Sequence, residues 1–258
     1  TLVRWQSLWR SREGFMNLIN KYVLITGSSR RLGRVMALSV AKAGGNVIIH
    51  HGHSPKEAQE TKREIESMGQ EAHVIQADFS KSEDVKMLIE SALAYHPLFA
   101  LVNSASIFKD LDWDNTSLEN WNAHLRINLT APFLLSQSFA KYHSSDRERR
   151  IVNILDWRAS RPTGDHFPYT ISKAALAAMT KSLAASLAPT ISVNGLALGA
   201  ILPPSDKTDI NSKDIIRDVP AQRWADLKEL GEALIFLLTG PSYITGEIIH
   251  LDGGRHLI

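Results

Sequence analysis

Tyr169 and Lys173 stand four residues apart at the start of a long Ala-rich stretch, a spacing that puts both on one face of a helix. A lysine ammonium beside a phenol favours the phenolate and lowers the phenol pKa from ~10 toward working pH. Such a phenol is a better proton donor to an atom that has just received a hydride. The same spacing is common on amphipathic helices, so its weight comes from a second feature. Thr26-Gly27-Ser28-Ser29-Arg30-Arg31-Leu32-Gly33 lies between an apolar run and a helix-patterned stretch. Gly27 permits a tight turn, Gly33 lets a helix approach closely, and the free N–H groups at the helix start attract a pyrophosphate. A glycine pair alone is a weak signal; a strand before it and a helix after it strengthen it.

A turn of this kind takes a dinucleotide, and the residues after the second strand choose which one. NAD sites place a carboxylate there, about 20 residues past the turn, on the ribose 2′-hydroxyl. This chain reads His50-His51-Gly52-His53-Ser54, with no acid until Glu57. Arg30, Arg31, His53 and Ser54 can instead hold a 2′-phosphate through charge-assisted hydrogen bonds, so the expected cofactor is NADP(H). The bland alternative is that the histidines are exposed turn residues.

These groups need elements to hold them. From Lys21 onward, short apolar runs alternate with helix-period stretches. Strands are expected at Tyr22–Thr26, Asn46–His50, Ala72–Gln76, Leu98–Val102, Ile151–Leu155, Ile191–Leu196 and Glu247–His250. Helices are expected at Leu32–Ala43, Pro55–Met68, Ser82–Ala94, Leu118–Tyr142 with a bend at Pro132, Tyr169–Leu187 and Ala225–Leu238. Near-continuous apolar strands are buried on both faces, and strands alternating with helices form parallel βαβ units. The expected fold is α/β: a single-domain Rossmann-type, doubly wound sheet of about seven parallel strands with helices on both faces. Residues 1–20 read as an N-terminal extension and 21–258 as the domain. Within it, residues 200–220, irregular and rich in charge, read as a mobile substrate loop, with an ordinary surface loop as the alternative.

Composition narrows the function class. The chain has 258 residues, 44% hydrophobic and 22% charged, with a net charge of +2. It can bury a sizeable core without a disulfide or metal staple. Its charges are spread along the chain, which gives no electrostatic footprint for nucleic acid. With no cysteine, disulfides, thiol catalysis and Cys-ligated zinc are excluded; no metal is expected, and a cytoplasmic setting fits. The longest apolar run, Ala233–Leu238, is far short of the ~18 residues of a membrane span. Thr1–Phe15 carries Trp5 and Trp9 and lacks the apolar core of a secretory signal. It reads as an upstream extension or, alternatively, as a packing arm at a subunit interface.

The turn resembles the TGxxxGxG turn of the short-chain dehydrogenase/reductase family. Arg31 replaces the middle glycine, and in this it is similar to the pteridine reductases of that family. The resemblance continues at Asp78, which matches the residue that contacts adenine, and at Asn103-Ser104-Ala105-Ser106, where the family usually has NNAG. Tyr169-Thr170-Ile171-Ser172-Lys173 matches its YxxxK. By resemblance, Lys173 also holds the nicotinamide ribose and Asn128 carries a water-linked proton relay. Leu32, Phe79, Asn103, Ala105, Gly199 and Ile201 fall with the cofactor residues on the same basis.

One departure is the most informative. The family has a Ser thirteen residues before the Tyr; here that position is Asp156. A ketone gains negative charge on oxygen as hydride arrives, and a carboxylate there repels it, the reverse of an oxyanion hole. A nitrogen-rich ring offers N–H and NH2 donors that a carboxylate accepts, and reduction of its C=N bond needs a proton on nitrogen. An Asp protonated through partial burial can deliver one. Asp-x12-Tyr-x3-Lys resembles the pteridine reductase arrangement, and Asn103–Phe108 resembles that group's NNASxF segment. The resemblance implies that Phe108 stacks on a pterin, that Ser106 contacts its polar edge and that Arg31 reaches both pyrophosphate and pterin. The tail Leu251-Asp252-Gly253-Gly254-Arg255-His256-Leu257 resembles the ends of dihydromonapterin reductases and implies a homotetramer, with one chain's tail near another's active site. Leu198-Gly199 in place of Pro-Gly and Ser104 in place of Asn depart from the pattern. Two other functions stay open: a reductase of another carbonyl, for which Ser160 has the wrong spacing, and a sensor that binds NADP without turnover.

Overall fold

The computed structural model describes residues 17–142, 148–202 and 216–258; most of the 200–220 loop and residues 1–16 lie outside them. Seven strands form one parallel sheet: β1 (Tyr22–Ile25), β2 (Asn46–His51), β3 (Ala72–Gln76), β4 (Leu98–Asn103), β5 (Arg149–Asp156), β6 (Ile191–Leu198) and β7 (Ile248–Leu251). Their order is β3-β2-β1-β4-β5-β6-β7, so the chain reverses direction of winding between β1 and β4. That switch point opens a crevice at the carboxyl ends of the strands, where ligands bind such sheets.

The helices are α1 (Arg31–Lys42), α2 (Pro55–Ser67), α3 (Ser82–Leu93), α4 (Leu118–Leu125), α5 (Ala131–Lys141), α6 (Phe167–Leu187) and α7 (Leu227–Thr239). Alternate side chains of each strand face opposite layers. Val23, Ile25, Val47 and Ile49 pack beneath Met36, Val40, Ile65, Leu234 and Leu238 of α1, α2 and α7. Leu24, Ile48 and Ile151 pack against Val85, Leu88, Leu135, Phe139 and Ala184 of α3, α5 and α6. Both faces are therefore covered, which is why the strands read as unbroken apolar runs. Among the described residues, Leu18 is fully buried in the first of these clusters. Among the described residues, no helix is long and apolar enough to cross a membrane.

The long helix expected to bend at Pro132 is interrupted just before it. Arg126–Thr130 form a π turn between α4 and α5. Pro132 has no N–H to give to the carbonyl four residues back, that of Asn128, so the ladder is broken there. π turns often mark functional positions, and Asn128 lies buried inside this one. The last residues, Arg255–Leu257, form a 3-10 turn and bring the Arg255 guanidinium 4.5 Å from the centre of the Trp157 ring. The chain's own tail thus sits beside the end of β5.

Candidate active site

The turn after β1 is built from close approaches. Gly27 has φ +67°, and a Cβ there would lie 3.0 Å from Ala105 Cα; a Cβ on Gly33 would lie 2.1 Å from the Gly27 carbonyl oxygen. Only glycine allows both contacts. Thr26 Oγ1 accepts from the Ser104 and Ala105 amides, each at 2.9 Å, which clamps the segment after β4 against the turn. Arg30, at the N-cap of α1, makes no side-chain cap, and the first turn of the helix holds no acid. Its N–H groups can take an anion. This is a cradle that fits the pyrophosphate of a dinucleotide. Arg31 has φ +51°, the left-handed region that favours glycine, although the family's glycine is absent here.

His50 is a residue whose role sequence reasoning missed. It lies 2% exposed, and Gly27 N–H donates to its Nδ1 at 3.0 Å. Its Nε2 donates to the Ala77 carbonyl at 2.9 Å, and its ring stacks on Phe79 at 4.3 Å. The signal was its place as the last apolar-face position of β2, which separates it from the exposed His53. His53 Nε2 lies 3.6 Å from Asp78 Oδ2. Ser54 starts α2 without using its hydroxyl as a cap, and Asp78 accepts from Ser80 N at 2.9 Å. Leu32 packs against the α1 side of the core. Asn103 is buried and donates to Asn153 Oδ1 at 2.8 Å. Gly199 donates to the Leu251 carbonyl, and a Cβ there would lie 2.6 Å from Asp252 Cα. Ile201 is buried beside it. All of these lie along the carboxyl edge of the sheet.

Farther along that edge the second group assembles. Tyr169 OH donates to Asp156 Oδ2 at 3.1 Å. Lys173 Nζ donates to the Ile154 carbonyl at 2.8 Å and lies 5.7 Å from the centre of the Tyr169 ring. In the π turn, Asn128 Oδ1 accepts from Ile107 N at 2.9 Å, and its Nδ2 donates to Ser172 Oγ at 3.0 Å. The four expected residues are therefore drawn to one place by β5, α6 and the break between α4 and α5.

The electrostatics differ from expectation at Tyr169. Its pKa is raised well above 10, first by burial, then by the charge and hydrogen bond of Asp156, with Arg158 opposing. A carboxylate 3.1 Å away outweighs an ammonium beyond hydrogen-bond range, so Lys173 does not lower the phenol in this arrangement. Burial lowers Lys173 itself to about 8, with Asp156 opposing. The contacts of Asp156 all come from donors. Beyond Tyr169, its Oδ1 accepts from the Arg158 amide at 2.9 Å and faces the Arg158 guanidinium at 3.5 Å. In these contacts the oxygens of Asp156 face the Tyr169 hydroxyl and the Arg158 amide and guanidinium.

Arg158 also binds Asp165, at 2.6 Å through Nη2, and lies 4.7 Å from the Trp157 ring centre. Its place two residues after Asp156 was the available signal. Phe108 meets Tyr169 edge-on at 4.7 Å and stacks on His166 at 3.9 Å. His166 Nδ1 donates to the Lys109 carbonyl, and this fixes the start of α6. Ser106 is exposed and its hydroxyl donates to the Ile107 carbonyl at 3.3 Å. Ser160 shares a 2.7 Å hydrogen bond with His250 Nε2.

This geometry can be set beside known proteins. The family profile described as short chain dehydrogenase matches residues 21–214. A 3-oxoacyl-[acyl-carrier-protein] reductase of Synechocystis sp. is 31% identical, over 92% of this chain and 97% of its own length. Its counterpart from Aquifex aeolicus is 34% identical, over 93% and 98%. The structure of FolM alternative dihydrofolate reductase 1 from Brucella canis, complexed with NADP, superposes with a TM-score of 0.88. It is 33% identical and the match covers 93% of this chain and 96% of that one.

Proposed function

This chain belongs to the short-chain dehydrogenase family, and we propose that it is an NADPH-dependent reductase of a C=N bond in a pterin or dihydrofolate-like ring. The observation that carries the reading is Asp156, a carboxylate hydrogen-bonded to the Tyr169 hydroxyl at the place where a ketone reductase needs a neutral donor. A bound nicotinamide supplies the hydride. Arg30, Arg31, His53 and Ser54 hold the 2′-phosphate, Asp78 and Phe79 border the adenine, and Gly27, Leu32 and Gly33 shape the phosphate turn. Asn103, Ala105, Gly199, Ile201 and Lys173 border the nicotinamide half. Phe108 stacks on the substrate ring, while Ser106 and Arg31 meet its polar edge.

In this reading the substrate exchanges one hydrogen bond for another. The N–H and NH2 donors of the ring enter Asp156, and the Tyr169 hydroxyl that they displace turns to the imine nitrogen. As carbon gains hydride, nitrogen takes the Tyr169 proton. The high pKa of the buried phenol keeps that proton in place until the nitrogen becomes basic. The Lys173 ammonium returns a proton to Tyr169 and is itself reprotonated from solvent through the water-linked relay that Asn128 carries, while Arg158 holds Asp156 in place. A homotetramer is part of the same proposal.

The test is NADPH oxidation by the purified protein with dihydrobiopterin, dihydromonapterin, dihydrofolate and a panel of ketones, each repeated with NADH. Turnover of a pterin or folate with NADPH, lost in Asp156→Ser, is the expected result. A second reading, a 3-oxoacyl reductase, is favoured by the two relatives above. It needs a hydroxyl in place of Asp156, and Ser160 is engaged with His250. Turnover of ketones alone would establish it. Tight NADPH binding with no turnover would make the protein a sensor.

A further inference from the structure

We propose that His50 is the positioning residue of the nucleotide site, a buried strut that joins the phosphate turn, the end of β2 and the loop after β3. The proposal rests on the reading of this edge as the NADPH site. Four hydrogen bonds converge on one residue. Gly27 N–H donates to Nδ1 and Nε2 donates to the Ala77 carbonyl. Ser28 N–H donates to the His50 carbonyl at 3.0 Å, and His50 N–H donates to Ser28 Oγ at 3.2 Å. The Phe79 ring, stacked at 4.3 Å, closes the remaining side.

The two ring nitrogens fix the chemistry. A carbonyl can only accept, so Nε2 carries the proton; an amide can only donate, so Nδ1 is bare. The neutral Nε2–H tautomer is therefore built into the site. Burial pushes the imidazole down to about 4, in keeping with that state. With the Gly27 and Ser28 amides both committed to His50, the N–H groups offered to a phosphate are those that follow, at the start of α1. The strut thus sets where the anion sits, although His50 itself does not touch it. It also ties that position to Phe79, on the adenine side.

Each half of the strut can be removed separately in the full-length protein. His50→Asn keeps an acceptor where Nδ1 stands and loses the bond to Ala77. His50→Gln keeps a donor near Nε2 and loses the bond to Gly27. His50→Leu loses both. The dissociation constant of NADPH, read by fluorescence titration, is expected to rise about three- to tenfold for each single loss and further for Leu. Turnover at saturating NADPH is expected to change little, so KM moves without kcat. The side-chain ¹⁵N spectrum of the apo wild type is expected to show one histidine locked as Nε2–H from pH 8 to pH 5. Unchanged NADPH binding in folded Asn and Gln variants would overturn the proposal even if the Leu variant fails to fold. A His50 resonance titrating near 6.5 would also overturn it. Wild-type protein that binds no NADPH would instead sink the nucleotide reading itself.

Discussion

At the scale of single residues, the site turns on which charge lies nearest Tyr169. Asp156 is the closer partner, so the phenol holds its proton and acts as an acid. Tyr169→Phe removes that acid and is expected to lower kcat on the preferred substrate by about 10²–10⁴. NADPH binding, measured by fluorescence, should stay near the wild-type value. Lys173 gives a pH dependence with a definite sign. Its pKa is lowered to about 8, so the ammonium is lost as pH rises through that value. Turnover at saturating substrates is expected to fall above pH 8; a flat profile to pH 10 would show that the charge of Lys173 is not required. The Tyr–Lys pair is legible in the sequence because a four-residue spacing survives any rotation of the helix. The direction of the Tyr169 shift is not, since it depends on β5 bringing Asp156 within 3.1 Å. The place of Arg158 two residues after Asp156 is a sequence signal, but its second link, to Asp165, shows only once β5 and the start of α6 are brought together.

At the scale of elements, the turn and α1 act as one unit. Gly33→Ala would drive a Cβ to 2.1 Å from the Gly27 carbonyl, and overpacking of this kind costs about 1–3 kcal/mol. Thermal unfolding should show a lower Tm, and NADPH binding should weaken with it. Arg31→Gly acts the other way on the backbone. It places glycine where φ is +51° and should hold or raise Tm. Its loss of a guanidinium should narrow the preference for NADPH over NADH, read as the ratio of the two dissociation constants. The strands and most helix limits follow from burial period and turn residues, which is why the sheet is readable from its apolar runs. The π turn at Arg126–Thr130 is not. Pro132 signals a disturbance, but its consequence falls upstream, at the carbonyl that lost its donor.

At the scale of the whole molecule, acid should weaken the fold in a graded way. Burial lowers the pKa of His50, His51, His73, His124 and His250 below the ordinary 6.5. The unfolded chain then binds more protons, so this stability is present above pH 6.5 and is lost as pH falls toward the folded values. For His50, with a folded value of about 4, the loss is on the order of 3 kcal/mol. Urea unfolding at pH 7.5 and pH 5 should show a lower midpoint at pH 5, and His50→Gln should narrow the difference between them. Assembly is testable at the same scale. Phe236 of α7 and Tyr243, between α7 and β7, are exposed, as are Trp113, Leu118 of α4 and Phe133 of α5. These side chains are candidates for the contacts of the proposed homotetramer. Size-exclusion chromatography with light scattering should show Tyr243→Asp shifted to a smaller species.

Trp157 has a further consequence. Its indole is buried next to Asp156, with the guanidinium groups of Arg158 and Arg255 at 4.7 and 4.5 Å from the ring centre. Indole emission responds to nearby charge, so this side chain is a native optical reporter placed beside the reacting groups. A difference spectrum between the wild type and Trp157→Phe isolates its signal from the other tryptophans. Occupation of Asp156 would then be visible as a change in light before any turnover is counted.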